Sequence, residues 1–371
     1  RLSAQPGALS DYHLHVLLAP HLQNHGVGNT AWVGEFEGTS LLFAQRNDFA
    51  LALACSAPWL KRSAGYVGSS DGWQDLKQHG QMKWEYTRAE NGNVALTAEI
   101  GLSKSQGNFV MALGFGKDPD EAARNAIASL RDGFDKAKHD YIAGWQAWIK
   151  TTTGSSEPSP LAPGALSRIS LAVLRTHESK MAPGGLIASL SIPWGFSKGD
   201  DDLGGYHLVW SRDMVETAGG LLAAGAHESV RRVLSFLQRT QRPDGHWSQN
   251  MWLDGSPYWD GIQMDETALP ILLVDLAYRE KALAEGDAAR FWPMVKKAAG
   301  YLARNGPVSP QDRWEEDPGY SPFKGGAEIA ALLAAADMAD VSHDASIATY
   351  LREIADGWLT PIDLWMSVSG T

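Results

Sequence analysis

Two periodicities divide the chain. Up to about residue 116 the apolar positions alternate or run in short blocks. The blocks are Tyr12-His13-Leu14-His15-Val16-Leu17-Leu18, Trp32-Val33-Gly34-Glu35-Phe36-Glu37, Ser40 to Ala44, Phe49 to Cys55, Asn93 to Leu102 and Asn108 to Phe115. Clusters of Gly, Asn, Asp and Ser separate them. Short strands at this spacing, with no helical pattern between them, predict an antiparallel β-sandwich. Cys55 ends the run Leu51-Ala52-Leu53-Ala54-Cys55, a place for a buried structural thiol rather than a nucleophile.

At Lys117-Asp118-Pro119-Asp120-Glu121 the period changes. Asp118 or Asp120 suits a helix cap, Pro119 fits a first turn, and acids there complement the helix dipole. Ala122, Ala126, Leu130, Phe134 and Ala137 then form an i, i+4 stripe continuing towards Trp145 and Trp148. This predicts one linker helix of about 30 residues, followed by a breaker-rich loop from Thr151 to Pro160. Helical patterns then recur near 164–181, 211–225, 227–241, 266–284, 288–304, 326–339 and 344–357, with no strand runs between them. No heptad register is sustained, so a toroid of helical hairpins is expected. The predicted organisation is β then α: a partial antiparallel β-sandwich over 1–116, a linker helix and loop over 117–163, and a helical domain over 164–371.

Composition removes several function classes. The formal charge is −11 and no basic stripe is present, so nucleic-acid binding has no electrostatic footprint. No apolar run is long enough for a membrane-spanning helix. A single cysteine excludes an internal disulfide framework and a cysteine-based zinc site, and no H-E-x-x-H pattern occurs. Gly184-Gly185 and Gly204-Gly205 do not form a dinucleotide fingerprint. The skewed count is tryptophan, fifteen against ten Tyr and ten Phe. Indole faces suit the C–H faces of sugar rings, and they equally suit a Trp-rich core; composition leaves both readings open. The chain starts at Arg1 without a Met and ends at Trp365-Met366-Ser367-Val368-Ser369-Gly370-Thr371 without a polar fade-out. Further sequence is therefore expected beyond both ends.

Three segments carry candidate chemistry. The first runs from Pro193-Trp194-Gly195-Phe196 to Tyr206-His207-Leu208-Val209-Trp210-Ser211-Arg212-Asp213. With Ser211 as cap, Arg212 and Asp213 fall in the first helical turn, where a fork of N–H donors beside a carboxylate can grip adjacent hydroxyls of one sugar. Tyr206 and Trp210 would form an aromatic wall. The same spacing also fits an acid serving the helix end and an arginine paired at the surface. The second is Gln311-Asp312-Arg313-Trp314-Glu315-Glu316-Asp317-Pro318-Gly319-Tyr320, four acids within six positions. Neighbouring negative charge and an apolar indole both favour a carboxyl that keeps its proton, as glycosidic cleavage requires. A solvated acidic loop is the plainer alternative, and its spacing fits no known calcium loop. The third is Tyr258-Trp259-Asp260-Gly261-Ile262-Gln263-Met264-Asp265-Glu266-Thr267, where Trp259, Gln263 and Asp265 would line the same cleft. Asp265 as a cap and Trp259 as packing is the alternative. Asp200-Asp201-Asp202 reads as a solvated loop in preference to a calcium ligand set; no cofactor is required, and a structural calcium ion stays open.

Taken together, Tyr206-x-x-x-Trp210-Ser211-Arg212-Asp213, Trp259-x-x-x-Gln263-x-Asp265 and Asp312-Arg313-Trp314-Glu315-Glu316 resemble the catalytic domain of glycoside hydrolase family 15, the glucoamylase and glucodextranase family. The resemblance covers about 164–371, and the upstream sandwich is similar to the N-terminal β-domain of bacterial members. It implies an (α/α)6 barrel and an inverting, exo-acting α-glucosidase that releases β-glucose from non-reducing ends of α-glucans. It implies Glu315 as general acid, Glu316 as a substrate-binding carboxylate, and Arg212 and Asp213 on hydroxyls of the terminal glucose. Tyr206 and Trp210 would be pocket walls, with Trp259, Trp314, Gln263 and Asp265 completing the substrate contacts.

The same resemblance marks a departure. Inversion needs a second carboxylate about 6.5–9.5 Å from the acid, and Glu316 is adjacent to Glu315 in sequence. The family's base lies late in the catalytic domain, and no matching motif precedes Thr371. Seven helices do not close an (α/α)6 ring, so the chain reads as the acid-bearing part, with the remaining C-terminal segment of the same enzyme as its expected partner. The expected ligand is an α-glucan oligo- or polysaccharide, met outside the cytoplasm, hence a secreted or periplasmic protein. A non-catalytic glucan-binding protein and a related inverting trehalase or phosphorylase are the alternatives.

Overall fold

The computed structural model describes residues 12–102, 108–153, 165–190 and 205–366. They fall into two compact units, the chain passing from the first to the second after residue 147. The first unit is built from β1 (Leu14–Leu18), β2 (Asn29–Phe36), β3 (Thr39–Arg46), β4 (Phe49–Cys55), β5 (Trp59–Tyr66), α1 (Gly72–His79), β6 (Arg88–Gly92), β7 (Val94–Ile100), β8 (Met111–Gly116) and α2 (Pro119–Asp132). Two antiparallel sheets form, in the orders β1-β7-β5 and β6-β2-β3-β4-β8.

Strand alternation explains the layers. Leu42, Ala44, Leu51 and Leu53 of the larger sheet meet Ala64, Val94, Leu96 and Ala98 of the smaller one in a shared core. The opposite set, Leu41, Phe43, Ala50, Ala52 and Ala54, faces Ala122, Ala123 and Ala126 of α2. A sheet covered on both faces needs strands that run apolar rather than alternate. Gly114 lets α2 approach this closely, because a Cβ there would lie 2.2 Å from the carbonyl oxygen of Ala122. The expected absence of helix in this half is corrected by α1, whose cap Asp71 accepts from the Gln74 N–H at 3.0 Å. Cys55 is half-buried, and burial pushes its thiol above the usual value, against a nucleophilic role.

Asp118 caps α2, accepting from the Glu121 N–H at 2.8 Å, and Pro119 opens its first turn. The single linker helix expected from periodicity is two. Gly133 takes φ +87° and ends α2, and α3 (Phe134–Thr153) begins immediately after it. Glycine alone adopts that backbone without a steric penalty.

The second unit contains α4 (Ala165–Thr176), α5 (Ser211–Ala223), α6 (His227–Thr240), the short pair β9 (Asn250–Met251) and β10 (Pro257–Trp259), α7 (Met264–Arg279), α8 (Glu285–Asn305), α9 (Pro322–Val341), α10 (Ala345–Leu359) and α11 (Ile362–Met366). The small β9–β10 ladder corrects the expectation of no strands in this half. Consecutive helices pack as hairpins, α5 on α6, α7 on α8 and α9 on α10, while α5, α7 and α9 also pack side by side. α7 is buried on nearly all sides, and α9 packs through Ala331, Ala334, Ala335, Ala336 and Ala339. Small side chains there allow helix axes to approach closely. The arrangement brings the N-termini of α5, α7 and α9 together, and the three candidate segments lie at those ends.

Candidate active site

Arg212, in the first turn of α5, is buried against the start of α7. Its Nη1 donates to Gln263 Oε1 at 2.6 Å and to Asp265 Oδ2 at 2.8 Å, and lies 3.0 Å from Glu266 Oε1. Burial works against the guanidinium charge, but Glu266 and Asp265 outweigh it and hold Arg212 above its usual value. Glu266 Oε2 also accepts from the Ser211 hydroxyl at 2.5 Å and the Arg212 backbone N–H at 2.6 Å. A carboxylate from α7 thus satisfies the open N–H groups of α5, where the helix dipole favours negative charge. Ser211 is therefore not the cap expected from sequence: it is the first helical residue, and its side chain is spent on Glu266. Asp265 likewise caps nothing, since α7 starts at Met264 without a side-chain cap.

Asp213 differs from its neighbour. Its side chain is 48% exposed, and Oδ2 lies 4.0 Å from Arg212 Nε. Among the described residues neither Nε nor Nη2 of Arg212 donates a hydrogen bond. An N–H edge therefore sits beside an exposed carboxylate, the donor and acceptor pair that adjacent sugar hydroxyls require. Tyr206, 43% exposed, stands 6.2 Å from the ring of Trp210, which is buried. Trp259 is half-buried on β10, its backbone N–H donating to Asn250 Oδ1 at 2.9 Å.

The acid-rich segment forms the loop between α8 and α9. Reciprocal backbone bonds between Ser309 and Gly319, 3.1 and 3.0 Å, close its base. Inside it the Asp312 carboxylate accepts from the Trp314 and Glu316 N–H groups, both at 2.9 Å. Those bonds, with Glu316 first, hold Asp312 below the usual carboxylate range. Glu315 follows with φ +71°, a left-handed conformation that costs a non-glycine residue about 1–3 kcal/mol. Such strain persists where surrounding structure imposes it, and Asp312 imposes it here. Glu315 is half-buried, Glu316 is exposed, and Trp314 is 78% exposed, so the indole does not enclose a carboxyl as expected. Arg313 reaches α5, with Nη2 3.6 Å from Glu216 Oε1, one turn beyond Asp213.

A buried charge cluster lies beneath the loop. Lys324 and Glu328, one turn apart on α9, are both buried. Lys324 Nζ donates to Ser309 Oγ at 3.1 Å and to the Gln311 carbonyl, and lies 3.5 Å from Asp265 Oδ1. Glu328 has no hydrogen-bond partner on either oxygen. Arg212 and Lys324 supply two positive charges against the three acids Asp265, Glu266 and Glu328, so the buried cluster is neutral only with one proton added. Burial lifts Glu266 to about 8, opposed by Arg212, and lifts Glu328 to about 8, helped by Asp265 and opposed by Lys324. Donors from Ser211 and Arg212 favour ionised Glu266, whereas nothing donates to Glu328. Glu328 is the acid that keeps the proton at neutral pH.

The structure thus joins Arg212 directly to Gln263 and Asp265, and ties the acid loop to both through Lys324 and through Arg313. Gln263 and Asp265 are fully buried and present no surface to a ligand; they act on Arg212. Sequence reading missed Glu266, Lys324 and Glu328. For Lys324 and Glu328 the signal was charge on the face of α9 that otherwise carries Leu332, Ala335 and Ala339. Asp200-Asp201-Asp202 and Pro193-Trp194-Gly195-Phe196 lie outside the described residues. Among the described residues no group of three His, Cys, Asp or Glu side chains is placed to hold a metal ion, and no helix is long and apolar enough to cross a membrane.

Residues 1–150 match the model of the glucodextranase domain N, and residues 169–369 match that of glycosyl hydrolases family 15. A glucoamylase of Clostridium sp. (strain G0005) is 37% identical over 363 residues, 98% of this chain and 50% of that protein. An uncharacterised glycosyl hydrolase of Methanocaldococcus jannaschii is 33% identical over 140 residues, 36% of this chain and 22% of that protein. The crystal structure of a bacterial glucoamylase complexed with acarbose superposes with a TM-score of 0.85 at 36% identity, covering 96% of this chain and 51% of that one. The chain spans about half the length of the glucoamylases it matches.

Proposed function

Since the chain belongs to glycosyl hydrolases family 15, with an N-terminal sandwich followed by part of an (α/α)6 barrel, we propose that it serves an exo-acting, inverting α-glucosidase. Its substrate is an α-glucan oligo- or polysaccharide, from whose non-reducing end it releases β-glucose. The observation that carries this reading is the clamp on Arg212. Two buried acceptors, Gln263 and Asp265, and the adjacent buried Glu266 carboxylate fix the guanidinium while the exposed Asp213 carboxylate stands beside it. Together they hold two hydroxyls of the terminal glucose, with Tyr206 and Trp259 offering ring faces. Glu315, in the strained turn of the neighbouring loop, donates the proton to the leaving glycosidic oxygen, and Trp314 and Glu316 contact the departing sugar. No general base is assigned among these residues. The chemistry draws on carboxyl groups alone and needs no cofactor. Polymeric glucans are met outside the cytoplasm, so export belongs to the same proposal. The glucoamylase complexed with acarbose binds a pseudo-oligosaccharide of the kind this site would accept.

The test uses the full-length gene product on maltose and isomaltose. Glucose release is expected, with Glu315→Gln lowering kcat about 10³-fold and shifting acarbose Kd by less than about tenfold. Unaltered turnover in Glu315→Gln would remove Glu315 from the acid role.

A further inference from the structure

Lys324 is an unusual residue to find on α9. Its neighbours along the helix are Phe323, Gly325, Gly326 and Ala327, with Glu328 one turn on; its side chain is 1% exposed, and burying an ammonium costs several kcal/mol unless it is paired. Its ammonium donates to two acceptors, Ser309 Oγ and the Gln311 carbonyl, and forms an ion pair with Asp265 Oδ1 at 3.5 Å. Each of these three partners belongs to a different part of the site. Ser309 closes the base of the acid loop and also accepts from the Met264 N–H at 3.3 Å, Gln311 leads into the loop, and Asp265 grips Arg212.

The other tie between the loop and the glucose-binding helix is weaker. Arg313 and Glu216 are each about half exposed and 3.6 Å apart, and such surface pairs contribute about 0–1 kcal/mol. The buried ammonium is therefore the tie that decides where the loop sits.

We propose that Lys324 is a positioning residue: it fixes the acid loop to Asp265, and through Asp265 to Arg212, and so sets the separation between the proton donor and the terminal glucose. This rests on the assignment of Glu315 as the acid. Lys324 touches no substrate. Losing it frees the loop without removing any group that binds glucose, so turnover falls more than binding does. A displacement of about 1 Å at a reacting group costs on the order of 10²-fold in rate.

The experiment compares wild type, Lys324→Met and Lys324→Gln in the full-length protein by hydrogen exchange and by kinetics on maltose. Met keeps the bulk without donors; Gln keeps an N–H group to offer the Gln311 carbonyl. The expected result in Lys324→Met is amide exchange about tenfold faster across 312–319 with α7 and α9 unchanged. With it, kcat should fall about 10–100-fold while KM stays within about threefold, and Lys324→Gln should fall between Met and wild type in both measurements. Unchanged exchange in the loop, a loss carried by KM, or faster exchange spread evenly over the helices in both variants would overturn the proposal. A wild-type protein that released no glucose would refute the proposed activity alone, and the exchange comparison would still decide whether Lys324 holds the loop.

Discussion

Replacing Glu328 by Gln tests the buried cluster through its proton. Glu328 is fully buried, has no hydrogen-bond donor, and is lifted to about 8 from the ordinary 4.5 by burial and by Asp265. The folded state therefore binds this proton more tightly than the unfolded state does. Stability is undiminished below about pH 4.5 and declines as pH rises towards 8, at about 1.4 kcal/mol per pH unit. Between pH 5 and pH 8 the wild type loses about 3–4 kcal/mol from this group alone. Gln mimics the protonated acid in size and neutrality and cannot ionise, so the variant escapes that loss. Glu266 titrates in both proteins and cancels in the comparison. At about 2–4 °C per kcal/mol for a domain of this size, the Tm of Glu328→Gln relative to wild type should climb by about 10 °C from pH 5 to pH 8. Differential scanning calorimetry of the pair at pH 5, 6.5 and 8 measures it. A difference that is flat, or that shrinks with rising pH, would refute the assignment of the proton to Glu328.

Other outcomes follow from the same contacts. Arg212→Met leaves Asp265 and Glu266 as buried carboxylates with Lys324 as the remaining nearby cation, and should cost about 3–5 kcal/mol in denaturant unfolding; a loss below about 1 kcal/mol would mean that the cluster does not depend on the guanidinium. Asp213→Asn changes an exposed side chain, so stability should stay within about 0.5 kcal/mol while kcat/KM on maltose drops by a factor on the order of 10² or more. Equal stability and equal kinetics would take Asp213 out of the glucose site.

Much of the fold was legible because burial writes itself into periodicity. Phe49 to Cys55 reads as a strand and is one, since both faces of β4 are covered. β5 was missed because Lys61 and Arg62 interrupt its pattern; Arg62 turns inward and donates from Nη1 to the Gly34 carbonyl at 2.8 Å. β6, with the sequence Arg-Ala-Glu-Asn-Gly, lies at a sheet edge and carries little apolar signal. The linker split at Gly133 needed the backbone angle, which a continuous i, i+4 stripe conceals. At the site, Arg212, Asp213 and Glu315 stood out through local motifs. Gln263 and Asp265 were found but given the wrong neighbour, because spacing cannot say whether a polar residue faces a ligand or an arginine. Glu266, Lys324 and Glu328 are tertiary partners on helices whose sequence looks ordinary, and their role appears once α5, α7 and α9 share one end.

The most direct measurement is the configuration of the first sugar released. Following hydrolysis of methyl α-maltoside, whose leaving methyl glucoside cannot mutarotate, by the full-length protein with proton NMR should show the β-anomer of free glucose appearing first and the α-anomer rising only later. Early α-glucose would contradict the proposed inversion, and with it a proton donor and a separate base acting across the bond that Arg212 and Asp213 are proposed to hold in place.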